Sequence, residues 1–383
     1  MLVFRHDLFS YVYKPAGKTA DGDVVVQSWL MDEPTELEVQ KFVGDGQAIS
    51  KLMHEGARAL RPDQEVHVMS VMCRFPGAAY RLAGDFCAYR AQTDAFLKIP
   101  AGRFDMDMYY TQSDNQFEAS GKSVTCHAGV IGDQELFSWD NNFFDIDDRK
   151  AAKMPFICGV ELETCMEAFV LAGFTRETLR GTKVCAYIAD IGLESNGLGN
   201  CQDDPEAWIQ GEYCHNINSC NVVAYNLGLT GPCAAVDTAC SASMVACASM
   251  HAYLRQGKEK DTTWGMGWGA QHILMPWPFV GLSSAGMLGR SGRSLTFDQS
   301  ANGYNRGEGT GGIISRIGTD VEAVQERLAC HVSSYTNQDG RSASLTAPNG
   351  PSQQAVVRGS IWQGGHAFTD VQATENHGTG TAL

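Results

Sequence analysis

Thirteen cysteines are scattered through the 383 residues, and one of them stands where a thiolate would be useful. The segment from Gly231 to Ala246 reads as a short apolar strand, a turn of small residues, and a helix beginning near Cys240. That helix is expected to run through Met250 and Tyr253 to Arg255, with Gly257 where a C-terminal cap belongs. Its first turns are nearly all Ala, Ser and Cys, which pack closely and leave room beside a thiol. A cysteine attacks as its thiolate. Unpaired N–H groups and the positive end of the helix dipole favour that thiolate, and the same groups can hold the oxyanion of an attacked thioester. Taken alone, the segment fits a small cysteine packed in a tight helix equally well. Cys233, Cys240 and Cys247 recur every seven residues, but a strand and a helix do not converge three thiols on one ion, so no metal site is expected. Cys214, His215 and Cys220 read as incidental.

A second chemical segment is Glu375-Asn376-His377-Gly378-Thr379-Gly380-Thr381. A histidine leads straight into alternating Gly and Thr. The glycines allow a ligand to approach the backbone closely. The Thr379 and Thr381 hydroxyls fall on one side of an extended loop, an arrangement suited to an amide-bearing thread such as a pantetheine arm. A strand-end histidine followed by a polar turn fits the same letters. His127, His251, His272, His331 and His366 read as structural or surface histidines.

The elements that must position these residues are those of an α/β fold with buried sheets. Val66 to Met72 is a short apolar run suited to a buried strand. Glu161 to Gly173 reads as a helix with Leu162, Met166, Phe169 and Val170 on one face and Gly173 as its stop. Lys183 to Ala189 follows as a strand, and strands and helices alternate with frequent glycine. Residues 1–65 differ in texture, polar and acidic in patches with a helix expected from Glu36 to Leu60, and read as an extension of unknown function.

Composition narrows the partners. There are 29 Lys and Arg against 44 Asp and Glu, a formal net charge of -15, so no nucleic-acid footprint is expected. No run of eighteen apolar residues is present, so no membrane span is expected. The start lacks a secretory signal, and the odd, scattered cysteines favour a reducing compartment, cytoplasmic or plastid.

In this order the segments resemble the ketosynthase (β-ketoacyl-acyl-carrier-protein synthase) domains of type I polyketide synthases. Val71 to Ala78 resembles the family's opening strand and turn, and Val236-Asp237-Thr238-Ala239-Cys240-Ser241-Ala242-Ser243 its active-site cysteine motif. Ala285 to Leu288, Thr296-Phe297-Asp298 and Gly303 to Gly309 resemble mid-chain signatures. Thr336 to Arg341 and Leu345 to Gln354 match nearly letter for letter, and His377 to Thr381 resembles the first histidine motif. The resemblance covers about residues 66–383.

It implies a thiolase-like α/β fold of two related halves in α-β-α-β-α layers, usually a homodimer. The first half, with the nucleophile, would be 66–316, and 317–383 would begin the second. It implies acyl transfer from a carrier-protein phosphopantetheine to Cys240, then decarboxylative condensation with malonyl-acyl carrier protein. His377 would stabilise the enolate oxygen, and Thr379 and Thr381 would hold the pantetheine arm. It implies no directly bound cofactor, with substrates carried on acyl carrier protein.

The chain departs from the family at Ala242 (often serine), Asn376 (usually alanine), Gln271 (often asparagine) and through Lys153 to Glu163. The family's second catalytic histidine, a nearby lysine and a glycine-rich loop fall beyond Leu383, so the second half is expected to be incomplete and the 383-residue chain unable to elongate. The competing readings are a non-elongating carrier-protein-binding subunit, an inactive fragment, or a cysteine hydrolase.

Overall fold

The computed structural model describes residues 65–113, 115, 119–152, 154–190, 194, 219–256, 261–318, 325–343 and 347–381, with strand backbone also placed at Leu2–Arg5, Gly17–Lys18 and Val24–Val25. The helix expected from Glu36 to Leu60 and the cap at Gly257 lie outside these residues. The chain divides into two compact units interleaved in sequence. The first comprises Met1–Ser70, Ala248–Gly265 and Ile314–Glu375; the second comprises Val71–Cys247, Met266–Ile313 and Asn376–Leu383.

In chain order the strands are β1 (Leu2–Arg5), β2 (Gly17–Lys18), β3 (Val24–Val25), β4 (Val66–Phe75), β5 (Ala79–Tyr80), β6 (Phe96–Lys98), β7 (His127–Gly129), β8 (Val184–Ala189), β9 (Cys233–Val236), β10 (Trp264–Gln271), β11 (Gly309–Ile317) and β12 (Ala329–Ser334). The longer helices are α1 (Arg81–Ala91), α2 (Phe156–Leu171), α3 (Ser219–Leu227), α4 (Ala242–Gln256), α5 (Trp277–Ser284) and α6 (Gly350–Gln363).

In the first unit β12 pairs antiparallel with both β1 and the opening residues of β4. The first residues of the chain therefore add a strand to a sheet. Helix α6 lies against this unit's strands, and Ser333 Oγ donates to the Ser360 carbonyl at 2.6 Å. Gly359 sits so close to the Tyr335 ring that a Cβ there would come within 3.0 Å of it.

In the second unit the strand order is β4, β11, β10, β8, β9. β4 runs to Phe75, past the apolar core of the run, and is buried on both faces over most of its length. β8 is buried likewise, and β9 runs parallel beside it from Ala186↔Cys233 to Ala189↔Val236. β9 forms the sheet's margin, and its Cys233, Ala234 and Ala235 are exposed rather than buried. Helix α2 forms where the helical spacing predicts it. Leu162, Met166 and Phe169 are buried, and Gly173 follows at φ +92. Val170 departs from expectation and is exposed: about 80° round the helix from Leu162, it falls at the margin of the buried stripe.

Close approach explains the composition of α4. A Cβ on Gly267 of β10 would lie 2.7 Å from Cys247 Sγ, and one on Gly269 would lie 2.6 Å from Ser243 Cβ. Glycines on the strand and small residues on the helix let the first turns of α4 lie directly on β10. Ala189, Ala242 and Ala246 complete that contact.

Candidate active site

β9 delivers the chain to a sharp turn at the sheet's end. Ala239 adopts φ +53, a left-handed conformation that costs a non-glycine residue about 1–2 kcal/mol. The turn is fastened locally. Asp237 Oδ1 accepts from the Ala239 amide at 3.0 Å, and the Ser241 hydroxyl donates to the Thr238 carbonyl at 3.0 Å. Cys240 lies inside the resulting 3-10 turn, Ala239–Ser241, just ahead of α4, and is exposed. The sequence pattern places the helix start near Cys240; the regular helix begins two residues later, at Ala242.

His377 is exposed on a loop whose backbone is docked onto the segment 294–303. Gly303 donates its amide to the Gly380 carbonyl at 3.1 Å, and Thr296 Oγ1 donates to the Gly378 carbonyl at 2.6 Å. Gly378 (φ +50) and Gly380 (φ +69) both need glycine's freedom, and a Cβ on Gly380 would lie 2.9 Å from the Leu295 amide nitrogen. Thr379 is half-buried and Thr381 exposed on this loop, and the Thr381 amide donates to Thr379 Oγ1 at 3.4 Å.

Gly303 holds the His377 loop, and its neighbour Tyr304 lies within electrostatic reach of Cys240. Burial raises the Tyr304 phenol above its ordinary value; Arg306 pulls it down and charge on Cys240 pushes it up.

Two ion pairs, one fully buried and one nearly so, lie in the second unit. Arg103 forms a two-pronged pair with Glu308, at 2.8 and 2.9 Å, both side chains fully buried. Glu308 also accepts the amides of Ile131 (2.6 Å) and Ile273 (2.9 Å), and Arg103 donates to both of those residues' carbonyls and to Asp133. Burial raises the Glu308 carboxyl, against the pull of Arg103 and the two amides. Glu194 pairs with Arg306 and accepts the amides of Leu274 (2.6 Å) and Met275 (3.2 Å). Gln271 donates to the His272 carbonyl at 2.7 Å.

None of Tyr304, Thr296, Arg103 and Glu194 is assigned a role by sequence. Tyr304 and Thr296 stand in family-like motifs, but a tyrosine and a threonine in polar loops carry no chemical signal of their own. The three cysteines at seven-residue spacing do not gather: Cys233 and Cys240 are exposed and Cys247 is buried against Gly267. One group among the described residues has metal-ligand spacing, Glu65, His67 and Cys330 in the first unit, and sequence spacing does not point to it. Arg327 lies there, 3.0 Å from His67 Nδ1 and 3.2 Å from Glu65, while His67 Nε2 donates to the Gly318 carbonyl at 2.8 Å. A guanidinium already supplies the positive charge, and both imidazole nitrogens are engaged.

Residues 63–314 match the β-ketoacyl synthase N-terminal domain, and residues 328–383 match the β-ketoacyl synthase C-terminal domain. The chain belongs to the β-ketoacyl synthase family. It is similar to pikromycin polyketide synthase component PikAII of Streptomyces venezuelae, 33% identical over 342 residues, 86% of this chain and 9% of that protein. It is also similar to polyketide synthase GfsB of Streptomyces halstedii, 32% identical over 374 residues, 95% of this chain and 6% of that protein. Among solved structures, a ketosynthase from module 6 of the bacillaene synthase of Bacillus subtilis superposes with a TM-score of 0.68 at 26% identity, covering 83% of this chain and 52% of that one. An oxazolomycin ketosynthase domain of Streptomyces albus superposes with a TM-score of 0.73 at 24% identity and covers 84% of this chain and 54% of that one. The fold is the thiolase-like fold of polyketide synthase ketosynthase domains. The β-ketoacyl synthase chain spans about half the length of these solved ketosynthases and a small fraction of the synthases. No described helix is long and apolar enough to cross a membrane.

Proposed function

We propose that this ketosynthase chain is an acyltransferase of the 3-oxoacyl-acyl-carrier-protein synthase type, with Cys240 as nucleophile. The observation that supports it is the setting of Cys240, exposed in the tight turn that opens at Ala239 (φ +53) directly ahead of α4. The Cys240 thiolate attacks the carbonyl of an acyl thioester, the carrier's pantetheine thiol leaves, and an acyl-Cys240 thioester remains. Backbone N–H groups at the start of α4 favour the thiolate and the oxyanion. A malonyl thioester then loses CO₂, and its carbanion attacks the Cys240 thioester and expels the thiolate. His377 donates a hydrogen bond to the enolate oxygen that develops. Thr379 and Thr381 hold the pantetheine arm, whose amides match their hydroxyls.

The reading carries further expectations. Acyl carrier protein is the substrate-bearing partner, in polyketide or fatty-acid synthesis, and the chain pairs as a homodimer. Residues 66–316 and 317–383 act as the nucleophile-bearing half and the beginning of the second half, with 1–65 as an N-terminal extension.

Intact-mass measurement with acyl-pantetheine and malonyl-pantetheine tests the assignment. Cys240→Ala is expected to abolish the acyl-enzyme adduct. His377→Ala is expected to retain loading and to lose CO₂ release from malonyl thioester. An adduct that persists in Cys240→Ala removes Cys240 from the role, and undiminished CO₂ release by His377→Ala removes His377.

A further inference from the structure

Thr296 is not part of the cysteine or histidine motifs, yet it holds the backbone immediately after His377. Its Oγ1 donates to the Gly378 carbonyl at 2.6 Å, and its Cγ2 is the atom nearest to where a Gly378 Cβ would stand, at 3.1 Å. One side chain therefore restrains Gly378 by a hydrogen bond and leaves no room for a side chain there. The segment that presents Thr296 is itself tied down. Arg293 pairs with Asp94 through Nε (2.9 Å) and Nη2 (2.8 Å) and donates to the Phe96 carbonyl. Asn305 donates its amide to Ser294 Oγ at 3.1 Å and its side-chain nitrogen to the Gly292 carbonyl at 2.6 Å. On the far side of His377 no comparable restraint is present among the described residues: 372–377 are exposed, whereas Gly380 is buried and bonded to Gly303.

A histidine that must direct one N–H at a developing oxyanion needs its backbone fixed to about 0.5 Å. Gly378 at φ +50 lies in a region that glycine can leave easily, so the peptide after His377 would swing without an anchor. We propose that Thr296 is a positioning residue for His377, acting by clamping the Gly378 carbonyl. The proposal rests on the reading of His377 as the residue that stabilises the enolate. The clamp is solvent-exposed and competes with water, so its loss reduces a rate rather than abolishing it, by about three- to tenfold.

The pair Thr296→Val and Thr296→Ser separates the hydroxyl from the methyl group. Valine keeps the shape and loses the donor; serine keeps the donor. In the full 383-residue chain, Thr296→Val is expected to release CO₂ from malonyl-pantetheine about three- to tenfold more slowly. Acyl loading of Cys240 from octanoyl-pantetheine is expected to stay at the wild-type rate, and Thr296→Ser to restore CO₂ release. A defect confined to decarboxylation and cured by serine is not what general destabilisation produces. The second readout needs no activity. In protein labelled with ¹³C at histidine Cε1, the His377 resonance, identified by its loss in His377→Gln, is expected to shift or broaden in Thr296→Val and to recover in Thr296→Ser. The other nine of the ten histidines are expected to stay in place. Unchanged CO₂ release in an active Thr296→Val overturns the proposal. If the wild-type chain neither loads nor decarboxylates, the functional reading fails, and the His377 resonance alone decides: unmoved in Thr296→Val, it overturns the clamp; moved and rescued by serine, it upholds it.

Discussion

At the scale of single residues, reactivity separates the cysteines. Burial raises the Cys73 thiol to about 11 and those of Cys185, Cys220 and Cys247 to about 12. It also holds Cys158 and Cys165 well above the ordinary thiol value and raises Cys126. At neutral pH these are protonated, and a protonated thiol is a poor nucleophile. Cys87, Cys233 and Cys240 are the exposed ones among the described cysteines. With limiting iodoacetamide and peptide mapping, Cys240 is expected to be carboxamidomethylated first. Cys87 and Cys233 control for exposure alone; equal labelling of all three would remove any activation by the helix start. Cys240 and His377 could be singled out in the sequence as candidates because their segments resemble ketosynthase motifs; the letters alone left a packed cysteine and a polar turn equally open. Ala239 could not be singled out, since nothing in its identity announces φ +53. Ala239→Val places a β-branched residue there and is expected to cost about 1–3 kcal/mol in urea unfolding and to slow Cys240 labelling. Ala239→Gly is expected to preserve labelling.

Elements carry the site by fitting closely. Continuous apolar runs predicted β4 and β8, helical spacing predicted α2, and the run of small residues after the turn predicted α4, all near their observed places. The contact of α4 with β10 was hidden. Glycines at 267 and 269 and small residues at 242, 243, 246 and 247 lie far apart in sequence, and only the fold sets them face to face. Gly269→Ala would bring a Cβ to 2.6 Å from Ser243 Cβ, an atom fixed to the helix backbone that cannot rotate away. That overpacking is expected to cost about 1–3 kcal/mol and to slow acylation of Cys240, three residues upstream of Ser243. Gly281→Ala in α5 is the matched control, since its Cβ meets nothing within 4 Å. There the change is expected to be neutral or to stabilise by about 0.5–1 kcal/mol. Loss of stability in Gly281→Ala equal to that in Gly269→Ala would show that glycine itself, not the contact, is at issue.

For the whole molecule, the sequence established a net charge of -15 but could not say which ionisable groups fold into low dielectric, because that depends on contacts between distant segments. In the first unit His251 and His331 are buried and stacked, with ring centroids 4.1 Å apart, and His251 Nδ1 lies 2.9 Å from Ser334 Oγ. Burial lowers His251 to about 3, with a contribution from Arg255, and holds His331 well below its ordinary value. Unfolded imidazoles take protons below about pH 6.5, and these folded ones do not until far lower. Unfolding thus takes up two protons, so these groups weaken the first unit by about 2.7 kcal/mol per pH unit as pH falls below 6.5. In the second unit two groups oppose each other. Burial lowers His272 to about 3, which has the same sign, while burial beside Asp190 holds the Glu161 carboxyl well above its ordinary value. Folded Glu161 keeps its proton above about pH 4.5 where the unfolded chain loses it, so its contribution falls as pH rises. From about pH 4.5 to 6.5 the two contributions therefore run in opposite directions. Hydrogen exchange by mass spectrometry at pH 5 and pH 7 in dilute urea, corrected for intrinsic rates, reads both units in one sample. Peptides from 327–343 and α6 are expected to lose more protection at pH 5 than those from α2 and β8. His251→Phe is expected to halve the pH sensitivity of the first unit, and Glu161→Gln to make the second more stable at pH 7 than at pH 5. Equal acid sensitivity of the two units in the wild type, or an unchanged slope in His251→Phe, would show that the stacked histidines do not govern acid stability.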